Sequence, residues 1–242
     1  MTPLLVMTAI IVTLFIVMKA IVLIVSDARL SFGRTLAFIA WPGMRPSTFA
    51  AERRDQEFRR PMLNGIGCVL AGATLFVLAR AIATRSLIAA IVIALPAMSL
   101  ILHFGVFSLA IAFWRLVGFP AEELFRQPWR SKSLAEFWSR RWNVGFSDMM
   151  SVVVHRPIAH RFGRAAGLAA SFVASGLLHE LAISVPAGAG FGLPTLYFLA
   201  HAALVTGGVR GRSATLLSLL VPLPLLFHAP FVRAIIVPAL LR

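Results

Sequence analysis

Apolar residues run in long, nearly unbroken stretches along this chain, and charged residues are confined to the segments between them. The stretches lie at about Pro3–Val25, Pro61–Ala79, Ser86–Leu102, Gly105–Phe119, Ala165–Val185, Gly192–Val209, Ala214–Phe227 and Phe231–Leu241. A helix that crosses a bilayer needs about 20 mostly apolar residues. In lipid, moreover, only helices satisfy the backbone polar groups of such segments. The pattern therefore predicts an all-α, multi-pass transmembrane bundle of about six to eight spans.

Two parts of this pattern leave alternatives open. His103 interrupts the apolar stretch 86–119, which is either two spans or one long bent helix. Only the long helix puts the basic loops on either side of it on the same face of the membrane, as the positive-inside rule favours. The run Thr35–Trp41, closed by Pro42 and Gly43, is too short to cross a bilayer and indicates an interfacial or re-entrant segment.

The distribution of charge divides the chain into three parts of a single integral membrane domain, 1–242. Residues 1–119 form the N-terminal spans, residues 120–164 a polar loop, and residues 165–242 the C-terminal spans. The N-terminus has no basic stretch before its apolar run and no small-residue cleavage site. We therefore interpret it as a first span that is retained, not as a signal peptide.

Composition narrows the class of protein further. Hydrophobic residues make up 59% of the 242 residues and charged residues 13%, which excludes soluble, disordered and disulfide-rich classes. The net charge of +14 comes from basic loops, which indicate positive-inside topology and contact with anionic lipid, not nucleic acid. Such a loop is also suited to a phosphate-bearing substrate. Arginine outnumbers lysine 21 to 2, a bias of GC-rich genomes, so we expect a bacterial inner membrane.

The polar loop is predicted to contain an amphipathic helix at the membrane surface. Ser133 and Glu136 have the spacing of a capping box, in which each side chain bonds a first-turn amide of the new helix. Continued from there, one helical face carries Glu136, Arg140, Asn143 and Ser147, and another carries Leu134, Trp138 and Trp142. The tryptophans are expected to face acyl chains, and Arg140 and Arg141 to offer forked guanidinium groups to phosphate.

The following span carries small residues at every fourth position and ends in two ionisable groups. Gly163, Gly167, Ser171, Ser175 and His179 form this stripe, which predicts close helix packing against protein. Ionisable side chains at such depth are functional candidates. Burial favours the neutral imidazole, the form that a general base needs. Glu180 points about 100° away from His179 and is expected to contact another helix.

Less specific interpretations account for the same residues. The loop helix is equally an interfacial anchor, and His179 a side chain that only hydrogen-bonds between helices. Two of the membrane histidines on facing helices are also a possible ligand pair for haem; these are His103, His179, His201 and His228. No spacing of the H-x-x-x-H kind predicts a metal site.

Several of these segments together resemble the wax synthase branch of the membrane-bound O-acyltransferase superfamily. The resemblance rests on Leu134–Asn143 (LAEFWSRRWN), His155–Pro157 and Ala174–Leu181 (ASGLLHEL). Phe125–Pro128, Trp41–Met44 and Tyr197–His201 fit the same pattern. The pairing of the FW-x-RRWN segment with a downstream SGLLHEL segment is what makes the resemblance specific.

The resemblance implies an enzyme that transfers a fatty acyl group from acyl-CoA to a hydroxyl acceptor, with a long-chain alcohol and a wax ester as the first expectation. It implies that His179 and Asn143 form the catalytic pair, and that acyl-CoA serves as co-substrate with no further cofactor. Arg140, Arg141, Trp138 and Trp142 are the expected CoA and acyl contacts, with Ser175, Glu180 and His201 behind them. A membrane scaffold or transporter with a degenerate motif is the alternative. The sequence leaves the oligomeric state open.

Overall fold

Four helices of this computed structural model, which describes residues 2–52 and 54–241, are long and apolar enough to cross a membrane. They are α1 (Pro3–Val25), α2 (Arg59–Ile82), α3 (Leu87–Leu116) and α4 (Arg164–Ala187). Helix α5 (Leu193–Thr206) is apolar but has only 14 residues. The bent pair Arg212–Leu226 and Ala229–Leu241 gives a fifth candidate when counted as one span. The all-helical prediction is confirmed, and the described residues hold four or five candidate spans instead of six to eight.

Short helices connect and complete these elements. Between the long helices lie Phe32–Ala40, Ser47–Ala50, the 3-10 turn Pro128–Arg130, Leu134–Glu136, Val144–Met150 and Arg156–Phe162. The C-terminal part contains Arg212–Leu220, Leu223–Leu226, Ala229–Phe231 and Val237–Leu241. Wider π-helical turns occur at Leu100–Val106, Phe137–Arg141, Ser151–His155, Glu180–Ser184 and Val232–Ile236. Such turns recur at functional sites in proteins, and two of them adjoin the candidate residues described below.

The stretch 86–119 forms one long helix, α3, and not two spans. A π-helical turn at Leu100–Val106 lets the chain pass His103 without a break. The imidazole Nδ1 lies 3.0 Å from the hydroxyl oxygen of Ser99 one turn earlier, so one of the two ring nitrogens is bonded within the helix itself. Of the two alternatives for this stretch, the structure therefore supports the single long helix.

The chain divides into two compact units. The second unit, residues 28–125 and 236–242, is built on the packing of α2 against α3. A Cβ atom on Gly72 would lie 2.8 Å from the Ala97 carbonyl oxygen, and one on Gly105 would lie 2.6 Å from the Val69 side chain. Only glycine permits this approach. The prediction of one membrane domain stays a prediction.

The first unit, residues 1–27 and 126–235, contains the predicted catalytic pair and all the predicted CoA and acyl contacts, whereas the candidate haem ligand His103 lies in the second unit. Within it, α4 packs along α5 and against the helix Arg156–Phe162. Gly167 and Gly176 mark the two close contacts, with the His155 carbonyl oxygen and with Thr195 respectively. Gly176 lies beside the predicted stripe, and of the stripe itself Gly167 and Ser175 are buried, so this part of it faces protein. Gly163 is the exception. It precedes α4 with a φ of 86°, and a Cβ atom added to it would meet no other atom within 4 Å.

Candidate active site

The polar loop begins its helix where the capping box predicts, but the cap differs in one contact. The Ser133 hydroxyl accepts a hydrogen bond of 3.1 Å from the Glu136 amide, as expected. The Glu136 carboxylate, however, accepts from the amide of Lys132 at 2.7 Å and not from that of Ser133.

The continuous amphipathic helix predicted through Ser147 is wrong. The chain forms Leu134–Glu136 and a π-helical turn to Arg141, and then breaks at Asn143, whose φ of 43° and ψ of 59° are left-handed. Asn143 caps a new helix, Val144–Met150, because its side-chain oxygen accepts from the Phe146 amide at 3.3 Å. Glu136, Arg140, Asn143 and Ser147 therefore do not share one helical face.

The two tryptophans of this segment pack against protein, which corrects the expectation that they face acyl chains. Trp138 lies edge-on to Phe172 and to His201, with ring centroids 6.1 and 5.4 Å apart, and contacts Phe198 at 5.6 Å. Trp142 stacks on Phe137 at 5.5 Å and an angle of 14°. Both indoles contact Phe137, and Trp138 additionally reaches residues of α4 and α5.

Arg141, predicted to bind phosphate, holds the loop together instead. Its Nε donates to the Glu136 carboxylate at 2.7 Å, and its Nη1 donates to the carbonyl oxygens of Arg126 and Gln127 at 3.1 and 3.4 Å. The hydrogen bond from the Lys132 amide, followed by the bond from Arg141, keeps the pKa of the Glu136 carboxyl below its usual range. Arg140 is exposed and stays a candidate for phosphate contact.

We expect Arg141→Ala to destabilise the protein by about 1–3 kcal/mol, because three acceptors lose a charged donor. Thermal unfolding in detergent measures this change, and Arg140→Ala is the matched control from the neighbouring position. Since the pKa of Glu136 is lowered in the folded state, its contribution is present at neutral pH and is lost as pH falls through the lowered value. Equal unfolding temperatures for both variants would contradict the assignment.

His179 is held in one orientation by its own helix. The hydroxyls of Ser171 and Ser175 donate to the carbonyl oxygens of Gly167 and Ser171, and the His179 Nδ1 lies 2.7 Å from the Ser175 carbonyl oxygen. A carbonyl only accepts, so Nδ1 carries the proton and the neutral ring presents its lone pair at Nε2. The contact from Ser175 to His179 thus runs through the Ser175 backbone and not through its hydroxyl.

Glu180 contacts the next helix, as the sequence predicts. One oxygen of its carboxylate accepts from the amides of Gly192 and Thr195 and from the Thr195 hydroxyl, at 2.9, 3.0 and 2.9 Å. These donors form the N-terminal end of α5, where backbone amides lack partners within the helix. Glu180 therefore fixes the start of α5 against α4, one residue after His179.

One face of α5 gives the site three successive contacts. Thr195 binds Glu180, Phe198 lies 4.5 Å from the His179 ring, and His201 lies against Trp138. These positions are three residues apart, which is one helical face. Phe198 is the residue that sequence reasoning missed. The spacing of three residues between Phe198 and His201 could have indicated that both lie on one face of the helix. Apolar residues on every face of α5 hide that pattern.

His201 and His228 are enclosed, whereas His179 is half-buried. His201 is fully buried with its Nδ1 bonded to the Tyr197 carbonyl oxygen at 2.8 Å, and its Nε2 has no partner in the described chain. His228 uses both ring nitrogens, with the Phe231 amide and the Ser184 hydroxyl. Aromatic rings lie against both His179 and His201. Within the described residues, no three potential metal-ligating side chains are grouped.

Asn143 keeps a free donor. Because its Oδ1 accepts from the Phe146 amide, the side-chain NH2 is the remaining polar group, and it has no hydrogen-bond partner among the described residues. The following turn is tied to the tryptophan segment by the Ser147 hydroxyl, which donates to the Trp138 carbonyl oxygen at 2.6 Å. Trp138 in turn contacts Phe198, which contacts His179. This series of contacts joins the Asn143 segment to the His179 segment.

Comparison with known proteins shows which family the segment around these residues is similar to. Residues 121–200 match the Membrane bound O-acyl transferase family. The matched range contains both His179 and Asn143, and the resemblance to the wax synthase branch of that superfamily is confirmed.

The similar relatives carry acyltransferase names. A probable long-chain-alcohol O-fatty-acyltransferase 1 of Arabidopsis thaliana is 42% identical over 74 residues, which are 27% of this chain and 22% of the relative. The long-chain-alcohol O-fatty-acyltransferase of Simmondsia chinensis is 32% identical over 65 residues, 24% of this chain and 18% of the relative. Diacylglycerol O-acyltransferase 1 of Dictyostelium discoideum is 36% identical over 69 residues, 28% and 11% respectively. The chain therefore spans about a fifth or less of the length of these relatives.

Proposed function

We propose that this integral membrane protein transfers a fatty acyl group from acyl-CoA to a hydroxyl acceptor, with a long-chain alcohol as the first candidate. The observation that carries the proposal is the state of His179, whose Nδ1 proton is held by the Ser175 carbonyl oxygen while Nε2 stays available as a base. This histidine lies within the segment that matches the acyltransferase family. The names of the relatives support a long-chain alcohol first and a diacylglycerol second.

The chemistry begins with a proton transfer to His179. Nε2 takes the proton of the acceptor hydroxyl while the hydroxyl oxygen attacks the thioester carbonyl carbon. The carbonyl carbon becomes tetrahedral, and its oxygen becomes an oxyanion, which needs a hydrogen-bond donor. When the carbon–sulfur bond breaks, the CoA sulfur takes the proton back from His179, so that an ester and free CoA leave a neutral imidazole. No step of this reaction requires a metal or another cofactor.

Asn143 is the candidate donor to the oxyanion. Its NH2 group is unoccupied, and its oxygen is held by the Phe146 amide, so the amide plane is already fixed before substrate binds. A fixed donor stabilises developing charge without a further cost of reorientation. Glu180 and His201 are positioning residues in this scheme, because Glu180 fixes the start of α5 and His201 packs on Trp138.

The basic segments indicate which side of the membrane is cytosolic. With α3 as a single span, the loops 45–60 and 120–164 lie on one side of the membrane, and positive-inside topology makes that side cytosolic. Acyl-CoA would then approach from the cytosol and the acceptor from the bilayer. A bacterial inner membrane stays a prediction from the excess of arginine over lysine, 21 to 2, because the relatives named above are eukaryotic.

The test is ester formation by the purified protein. We expect the full chain, supplied with a long-chain acyl-CoA and a long-chain alcohol in detergent or lipid, to form a wax ester that mass spectrometry identifies. Lipid extracts of cells with and without the protein extend the search to diacylglycerol and other hydroxyl acceptors. A folded protein that forms no acyl ester with any acceptor, in vitro or in cells, would favour the scaffold or transporter alternative.

A further inference from the structure

Two loops that are distant in sequence are joined by backbone hydrogen bonds at one end of the first unit. The Gly211 amide donates to the Lys132 carbonyl oxygen at 2.7 Å, and the Leu134 amide donates to that of Val209 at 3.2 Å. Between these bonds, Ser133 and Arg210 face each other in an antiparallel bridge, which sets their Cα atoms about 5 Å apart. The loops 130–134 and 209–212 therefore form one rigid corner.

This corner concentrates positive charge, of which the nearby Glu136 carboxylate offsets only part. Its exposed cations are Arg130, Lys132, Arg210 and Arg212. None of the four side chains forms an ion pair or a hydrogen bond to another described residue. The carboxylate of this segment, Glu136, is already bonded to the Lys132 amide and to Arg141. Four cations held together by backbone geometry repel one another, and an anion relieves that repulsion. We call these four residues the basic corner.

The position of the basic corner relative to His179 suits an elongated ligand. Along α5, Phe198 contacts His179 and the helix ends at Thr206, four residues before Arg210. Eight residues of helix separate Phe198 from Thr206, or about 12 Å along the axis. A ligand with phosphates at the basic corner therefore needs a flexible arm to present a reacting group to His179.

We propose that the basic corner binds phosphate groups, and that those of CoA are its ligand. This rests on the acyltransferase function proposed above and deepens it, because CoA carries its phosphates and its thioester at opposite ends of a long arm. Arginine forks and a lysine ammonium suit phosphate oxygens. The basic corner takes the role that the sequence assigned to Arg141, whose guanidinium is committed to Glu136 and two carbonyl oxygens.

The test compares binding of free CoA by the full chain and by Arg210→Gln/Arg212→Gln, using calorimetry in a neutral detergent. Both changes exchange exposed side chains and leave the backbone bridge intact, and thermal unfolding verifies that the variant is folded. We expect the Kd for CoA to rise about tenfold, which corresponds to about 1.4 kcal/mol. Arg156→Gln/Arg161→Gln, two exposed arginines of the same unit, is the matched control and should bind CoA unchanged.

Capture on vesicles of phosphatidylglycerol and phosphatidylcholine distinguishes the two sources of phosphate. A loss of CoA binding in the basic-corner variant alone supports the proposal. A loss of vesicle capture with unchanged CoA affinity assigns the basic corner to lipid headgroups and overturns the assignment to CoA. Unchanged binding in both assays overturns the phosphate site itself. Because CoA binding is measured without turnover, a chain that binds CoA through these arginines but forms no ester would refute the acyltransferase and not the site.

Discussion

His179→Ala is expected to lower acyl transfer by at least a factor of about 100, the smaller end of the effect of a general base. The variant loses the Nε2 lone pair that accepts the acceptor's proton, and alanine leaves nothing in its place. The expected loss is in turnover, measured as ester formed per mole of folded protein at saturating acyl-CoA. Binding of free CoA should stay close to wild type, because the basic corner does not include His179.

Two companion variants separate chemistry from structure at this position. His160→Ala removes an exposed loop histidine of the same unit and should leave turnover unchanged. His179→Gln retains a polar side chain of similar reach but supplies no base, so its turnover should fall as far as that of the alanine variant. Wild-type turnover in either substitution of His179 would refute the base assignment. It would also leave the helix-packing interpretation as the better account of this residue.

Asn143 should show the second largest loss, about 100- to 1,000-fold in turnover when its side-chain donor is removed. The residue has two structural duties besides, since it caps Val144–Met150 and adopts a left-handed conformation. Alanine would lose all three properties together and by itself proves little.

Substitution of Asn143 by aspartate or by glycine separates these three properties. Asn143→Asp keeps an oxygen for the Phe146 amide and tolerates the left-handed backbone, but it has no N–H to donate. Asn143→Gly keeps the backbone conformation and loses both the cap and the donor. We expect both variants to lose turnover, with Asp folding normally and Gly losing a few tenths of a kcal/mol of stability. An active Asn143→Asp enzyme would show that the residue serves only as a helix cap.

Local chemistry explains the features that could be predicted from sequence. The first span, Pro3–Val25, needs only an unbroken apolar run, so its bounds are confirmed. The Ser133 cap depends on four consecutive residues. The i−4 spacing of Ser175 and His179 brings them into contact in any helix. The outward direction of Glu180 likewise follows from helical geometry, although its partners on α5 do not.

Features that depend on the path of the backbone between helices were mispredicted or missed. The capping box correctly predicts the start of a helix. Extending the helical period over the following 14 residues misses the left-handed conformation of Asn143, after which the Ser147 hydroxyl donates to the Trp138 carbonyl oxygen. From the sequence, Arg141 looked free to bind phosphate. Its guanidinium is instead bonded to Glu136 and to the carbonyl oxygens of Arg126 and Gln127, whose position depends on the path of the chain. The span count fell because α3 passes His103 unbroken and α5 is short.

By itself, the sequence determined that this is a helical membrane protein with a histidine and a carboxylate inside an apolar helix, because hydrophobicity and helical period are properties of single segments. Tertiary structure alone decided that Phe198 lies beside His179, that Arg141 is bonded to the carbonyl oxygens of residues 126 and 127, and that residues 132–134 meet residues 209–211. Those outcomes depend on contacts between segments that lie as far as about 80 residues apart in the printed sequence. Such contacts are fixed by packing and by backbone hydrogen bonds that no local pattern records.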